Sequence, residues 1–315
     1  MQMTDTYDKA YIDGPPKASA PEGVRRQEVE LLRIVSAFGI VWYHNIAIPG
    51  QDIGYAGLIV FTILSMYFAA RGDARPRSVA QRARALLVPW LAWFVFFGCC
   101  NLLKREPFLP LEHGLLSAVL LGTSVHLWYL PFIFFVIVLF DRIKLLLSQQ
   151  LLAYASIALA LGLLLSCSWW RGPSLAFHYP YAQYMHAAPA VFIGVFLANC
   201  RALSRNAQAL LVAALLLTIA WYAMPMRGIG TPYLLGVSAA AATLLPNWRW
   251  AAALNVNWLS ECTLGIYLSH VFWTKLLSKL LTIPQMLLPC LVFVVSALAI
   301  WTFRKTLPKL ARYVV

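Results

Sequence analysis

The chain has 315 residues, of which 61% are hydrophobic and 12% charged, and its formal net charge is +13. A soluble globular domain carries roughly twice that share of charge, so the composition excludes a water-soluble fold and points to an all-α, polytopic membrane helix bundle. In such a protein a surplus of Lys and Arg marks the cytoplasmic loops, and no nucleic-acid partner is expected.

Residues 1–24 are polar and contain Pro15, Pro16 and Pro21, the composition of a disordered cytoplasmic tail. Residues 25–315 read as the transmembrane domain. The first apolar run, 31–48, begins behind the tail and is followed by Pro49-Gly50-Gln51-Asp52, so it reads as a retained span rather than a cleaved leader. Further spans are expected at 55–70, 86–103, 125–140, 151–168, 187–200, 207–224, 231–246, 258–278 and 284–303, about ten transmembrane helices in all. The apolar stretch 114–124 is short and reads as an interfacial or re-entrant piece. With the first residue inside, 19 of the 25 Lys and Arg fall on the cytoplasmic side, which predicts both termini there. No internal repeat stands out, which speaks against a repeat-built transporter. The six Cys are scattered with no zinc-type spacing, so neither a structural metal nor a disulfide framework is expected.

Ionisable groups inside spans are costly and by default mark function. Arg33 and His44 lie 11 positions apart on the first span. That separation returns to within roughly 20° of the same helix face and sets the two side chains about 16 Å apart along the axis. One helix therefore turns a cation inward near its cytoplasmic end and an imidazole inward near its outer end. The bland alternatives are a snorkelling arginine and a packed, hydrogen-bonded histidine. The inner loop 71–84 carries Arg71, Arg75, Arg77, Arg82 and Arg84. Guanidinium forks match phosphate oxygens, so the loop reads either as a site for a phosphorylated cytoplasmic cofactor or as an orientation signal facing anionic membrane lipid.

At these residues the chain resembles the membrane-bound acyltransferase 3 family. Glu30, Leu32-Arg33 and His44 are similar to its acidic residue, Leu-Arg and Arg-x10-His. Phe61 to Met66 resembles its Phe-x-x-Leu-Ser-Gly, with Met66 in place of the glycine, a departure that questions a close backbone approach there. Arg82-Ala83-Arg84 with Pro89 resembles its inner-loop Arg-x-Arg and proline. His126-Leu127-Trp128-Tyr129-Leu130 is similar to its His-Leu-Trp-Phe-Leu. Ser260 to His270 resembles its late Ser-x-x-Ser-x-x-x-Tyr-Leu-x-His, with Thr263 for the second serine. The five pieces fall in family order across nearly the whole chain, in a membrane-only form.

The resemblance implies a multi-pass enzyme of a bacterial inner membrane that moves an acyl group, most often acetyl from acetyl-CoA, onto a sugar hydroxyl of an extracytoplasmic or lipid-linked cell-surface polysaccharide. On that reading His44, Arg33 and Glu30 form the catalytic set. His44 removes the proton of the acceptor hydroxyl or carries the acyl group transiently, two roles that one sequence does not separate. Glu30 orients an arginine. The donor's phosphates fall to Arg82, Arg84, Arg33, Arg75 and Arg77. Tyr267 and His270 are candidates for the tetrahedral oxyanion, and Trp128, Tyr267, His270, Trp170 and Tyr181 for substrate contacts. The aromatic segment 168–186 reads either as a sugar-stacking surface or as an interfacial belt. No metal is assigned, and association with further copies of the chain stays open. The rival readings are a transporter or flippase of a lipid-linked sugar and a catalytically silent scaffold.

Overall fold

A computed structural model describes residues 25–45, 48–71, 77–112, 114–246 and 249–315. The tail 1–24 and Arg75 lie outside the described residues, so neither expectation is addressed by the fold. The chain runs through α1 (Gln27–Tyr43), α2 (Gln51–Ala70), α3 (Val79–Leu103), α4 (Leu115–Leu121), a 3-10 turn (Val125–Trp128) continuing into α5 (Tyr129–Ile143), α6 (Gln149–Leu165), α7 (Cys167–Leu175) and α8 (Tyr181–Asn199). It continues with α9 (Arg205–Leu217) and a π-helical turn (Thr218–Ala223), α10 (Gly230–Leu244), α11 (Asn257–Ser260), α12 (Thr263–Leu280), α13 (Leu288–Thr306) and α14 (Pro308–Val314). Among the described residues there is no strand.

A helix underlies each of the ten expected runs, and six of them are long and apolar enough to cross a membrane. A seventh span results if α6 and α7, bent by 68°, count as one. The bend falls at Ser166, whose hydroxyl donates back to the Gly162 carbonyl at 2.7 Å. With 17 and 15 residues, α1 and α10 are shorter than the roughly 20 needed to span unaided. The stretch 114–124 forms the seven-residue α4 between Gly114 and Gly122, at φ of 86° and 85° where a side chain would be strained. Apolar surface faces outward: Leu103 is 85% and Trp221 91% exposed, and only 22% of the apolar α3 window is buried. Such surface is at home in lipid, and the protein is a membrane protein.

The bundle is organised on α2, which packs against α1, α8, α10 and α5. Small residues let the backbones approach. A Cβ on Gly57 would stand 2.3 Å from the Ser36 carbonyl oxygen, and one on Gly54 2.6 Å from that of Gly39. On the α8 side a Cβ on Gly194 would stand 2.6 Å from Ile63 O and 2.7 Å from Met66 Cβ. The close approach questioned at Met66 is therefore made by the partner helix, with the glycine on α8. Gly57→Leu should lower stability by about 1–3 kcal/mol, read as an earlier thermal unfolding transition in detergent; an unchanged transition would contradict the tight α1–α2 crossing.

Candidate functional site

The first helix ends at His44, whose N–H bonds the Ile40 carbonyl at 3.1 Å. Near its start Glu30 accepts hydrogen bonds from Ser260 Oγ and from Arg33 Nη1, the latter at 3.4 Å. The Arg33 guanidinium lies over the Phe68 ring, 5.7 Å from its centroid. Glu30 thus ties α1 to α11 and fixes the arginine's direction.

At the other end of α1 the His44 and His270 ring centroids are 5.0 Å apart, and those of His270 and His126 5.1 Å apart. Carbonyl oxygens set the neutral tautomers, because they only accept. His126 Nε2 faces the Leu268 carbonyl at 3.1 Å and carries the proton, leaving Nδ1 to accept from Ser124 Oγ at 3.0 Å. His270 Nδ1 faces the Tyr267 carbonyl at 2.6 Å and carries the proton, leaving Nε2 as a buried acceptor with no partner among the described residues. The Tyr267 hydroxyl donates to the His126 carbonyl. As placed, neither oxyanion candidate aims a proton into a cavity.

Three cavities meet here. A vestibule of 410 Å³ is lined by His44, Asn101, Glu106, Ser117, His126 and Lys275 among others. A second cavity of 340 Å³ shares His44 and His126 with it and adds Gln51, Trp128, Gln183 and Tyr267. A slot of 240 Å³ shares Tyr267, Ile40 and Leu58 with the second and runs past Tyr129 and Ser65 to Arg33 and Phe68. The Tyr129 and Ser65 hydroxyls are 3.1 Å apart in its wall. The three cavities follow the face of α1 that carries Arg33 and His44. His44 is half-buried and lines two of them; His270 is fully buried behind it and lines none of the three.

The other sequence candidates fall in different places. Arg82 forms a forked pair with Asp141, Nε–Oδ2 2.9 Å and Nη2–Oδ1 3.2 Å, and Lys144 Nζ bonds the same carboxylate at 2.9 Å. This cluster clamps α3 to α5, with Arg82 and Lys144 both engaged by the one carboxylate. Arg84 lies on the Tyr313 ring, 4.8 Å from its centroid, and donates to that hydroxyl. Arg77 is exposed just ahead of α3. Trp128 is buried in the wall of the second cavity. Tyr181 stands at the vestibule rim, its hydroxyl accepting from Ser117 Oγ at 3.4 Å. Trp170 is remote, its Nε1 donating to the Leu163 carbonyl at 2.8 Å inside the packing around α6.

Sequence reasoning left His126 out of the site, although the motif around it was visible. It also missed Asn101, Glu106 and Ser117, which carry no local signature, and Lys275, whose signal was a lysine inside an apolar helix. Among the described residues no group of three or more His, Cys, Asp or Glu is arranged to hold a metal ion.

A family model described as an acyltransferase domain matches residues 26–304. No curated protein and no solved structure gives a match. The matched range runs from the arginine before α1 into the last turn of α13 and takes in the three cavities.

If Arg82 is a clamp, Asp141→Ala strands two cations with little exposure and should cost about 3 kcal/mol, a larger loss of thermal stability than Arg82→Ala, which leaves Asp141 with Lys144. An unchanged transition in Arg82→Ala together with weakened donor binding would return Arg82 to the donor site.

Proposed function

The chain belongs to the acyltransferase 3 family, and from that premise we propose that it is an O-acetyltransferase, taking the acetyl group of cytoplasmic acetyl-CoA to a hydroxyl of a sugar in a cell-surface polysaccharide beyond a bacterial inner membrane. The observation that carries this reading is the chain of cavities along one face of α1, from Arg33 past Tyr267 to His44 and on to the vestibule. A donor on one side and an acceptor on the other need such a passage, and the bias of Lys and Arg supports Arg33 as its cytoplasmic end.

The slot is narrow and mostly apolar, with Ser65 and Tyr129 as polar points, and suits a linear arm that carries a thioester at its tip. The vestibule is lined by hydroxyl, amide, carboxylate and ammonium groups and suits a polyhydroxylated acceptor. In the second cavity, which lies between the two, His44 takes the proton of the acceptor hydroxyl. The hydroxyl oxygen attacks the thioester carbonyl carbon, and a tetrahedral oxyanion forms. Gln183 supplies an amide donor in the wall of the same cavity. The carbon–sulfur bond then breaks, and the thiolate takes the proton from His44 and leaves as the thiol. Direct transfer needs no acyl-histidine, because the second cavity, which His44 lines, joins the donor slot to the acceptor vestibule.

His270 acts through His44 as a positioning residue. Its unpartnered Nε2 is a lone-pair acceptor beside the His44 ring, so it favours the His44 tautomer whose N–H points at His270 and whose free nitrogen faces the acceptor. Arg33, oriented by Glu30, stands at the mouth of the slot and holds the donor's arm.

His44→Gln keeps size and hydrogen bonding but lacks a base, so it should lose about 10²–10⁴-fold in transfer rate with labelled acetyl-CoA, while coenzyme A still binds. His270→Gln should lower kcat and leave both KM values near those of the unaltered protein. Near-normal turnover in His44→Gln with none in His270→Gln would move the base to α12.

A further inference from the structure

At the end of the bundle where α1 begins, a cavity of 540 Å³ is ringed by Arg25, Arg26, Arg71, Arg201 and Arg249. The five arginines come from four separate segments: the residues before α1, the end of α2, the turn after α8 and the stretch after α10. They are therefore gathered by the fold and not by one basic loop. The carboxylate lining this cavity, Glu30, is already engaged by Arg33 and Ser260. Around the rim, Arg26 donates to the Thr243 and Pro246 carbonyls at 2.7 and 3.2 Å and lies 3.7 Å from Glu28. Arg201 donates to the Leu244 carbonyl at 3.5 Å, and Arg25 shares Glu261 with Arg304. Main-chain carbonyls orient a guanidinium but do not neutralise it. Among the described residues the five guanidinium groups outnumber the carboxylates beside them, Glu28, Glu30 and Glu261, two of which also serve Arg33 and Arg304. A concave surface of guanidinium forks focuses a positive field and fits phosphate oxygens.

The pocket adjoins the slot. Phe68 lines both, and the Glu30–Arg33 pair stands at the boundary with Glu30 in one wall and Arg33 in the other. A ligand with phosphates at one end and a thin arm at the other can lie across both. From Arg33 to His44 the arm must cover about 16 Å along α1.

We infer that this five-arginine pocket binds the phosphate groups at the nucleotide end of the donor, a nucleoside diphosphate bearing a pantetheine arm, with the arm passing Phe68 into the slot. The assignment rests on the donor reading above and deepens it: the phosphates are held by a basin assembled from α1, α2, α8 and α10, not by the Arg-x-Arg ahead of α3. The same chemistry could come from an anionic lipid headgroup, and the test separates the two.

Coenzyme A, adenosine 3′,5′-bisphosphate and pantetheine are titrated calorimetrically into full-length protein in nanodiscs of phosphatidylcholine, and again with phosphatidylglycerol added. The variants are Arg71→Gln with Arg249→Gln, and Arg249→Glu alone, the latter at an exposed position where folding is least at risk. The charge control is Lys305→Gln with Lys309→Gln, exposed at the same end. The expected result is a tenfold to hundredfold weaker affinity for coenzyme A and for the bisphosphate in both basin variants, with pantetheine binding and the control unchanged. Unaltered coenzyme A affinity in the basin variants, with the unmodified protein binding it well, overturns the pocket and leaves the donor reading standing. No coenzyme A binding by the unmodified protein overturns the donor reading and this inference with it. If phosphatidylglycerol displaces the bisphosphate while coenzyme A binding is unaffected by either variant, the basin is a lipid headgroup site and the inference is wrong.

Discussion

Helix α1 has no side chain between its backbone and that of α2 where Ser36 and Gly39 meet Gly57 and Gly54, and the rest of the site depends on that contact. Apolar side chains gain little by leaving lipid for a helix interface, so association rests on close packing and on polar groups that find partners. The crossing fixes the rotation of α1. Once rotation is fixed, the 11-residue spacing turns both Arg33 and His44 toward the interior, and the cavities form along that face.

Polar groups placed inside must then be matched, and the matching explains several roles. Glu30 serves Arg33 and Ser260, so it orients a cation while joining α1 to α11. Asp141 serves Arg82 and Lys144, so it holds α3 to α5. His126 and Tyr267 bond each other's neighbourhoods through main-chain carbonyls and form a fixed wall. Against these engaged groups, a half-buried His44 that opens on two cavities and an unpartnered His270 Nε2 stand apart.

Much of this was legible in the sequence because it is periodic or local. Apolar runs located the helices, six of them long and apolar enough to cross a membrane, since a helix in lipid must satisfy its own backbone, and the Arg33–His44 spacing is a property of one helix. The features that escaped are those made between distant segments. Arg82 meets Asp141 across 59 positions, and no local pattern says that an arginine beside a membrane span is a clamp. The vestibule collects Asn101, Glu106, Ser117 and Lys275 from separate elements, and the basic basin collects its arginines in the same way. Trp170 sits in an aromatic-rich segment, yet its indole bonds inward to Leu163 because α7 bends back at Ser166. The apolar run gave no sign of that bend.

The central claim is that the acyl donor reaches His44 from the Arg33 end through the slot beneath Tyr267. The most direct measurement is a cryo-electron microscopy map of the protein with a non-hydrolysable acetyl-CoA analogue. The account predicts continuous density from Phe68 past Ser65 and Tyr129, with the acyl end between Tyr267 and His44. Density for the analogue confined to the surface, with the slot filled only by side chains, would contradict it.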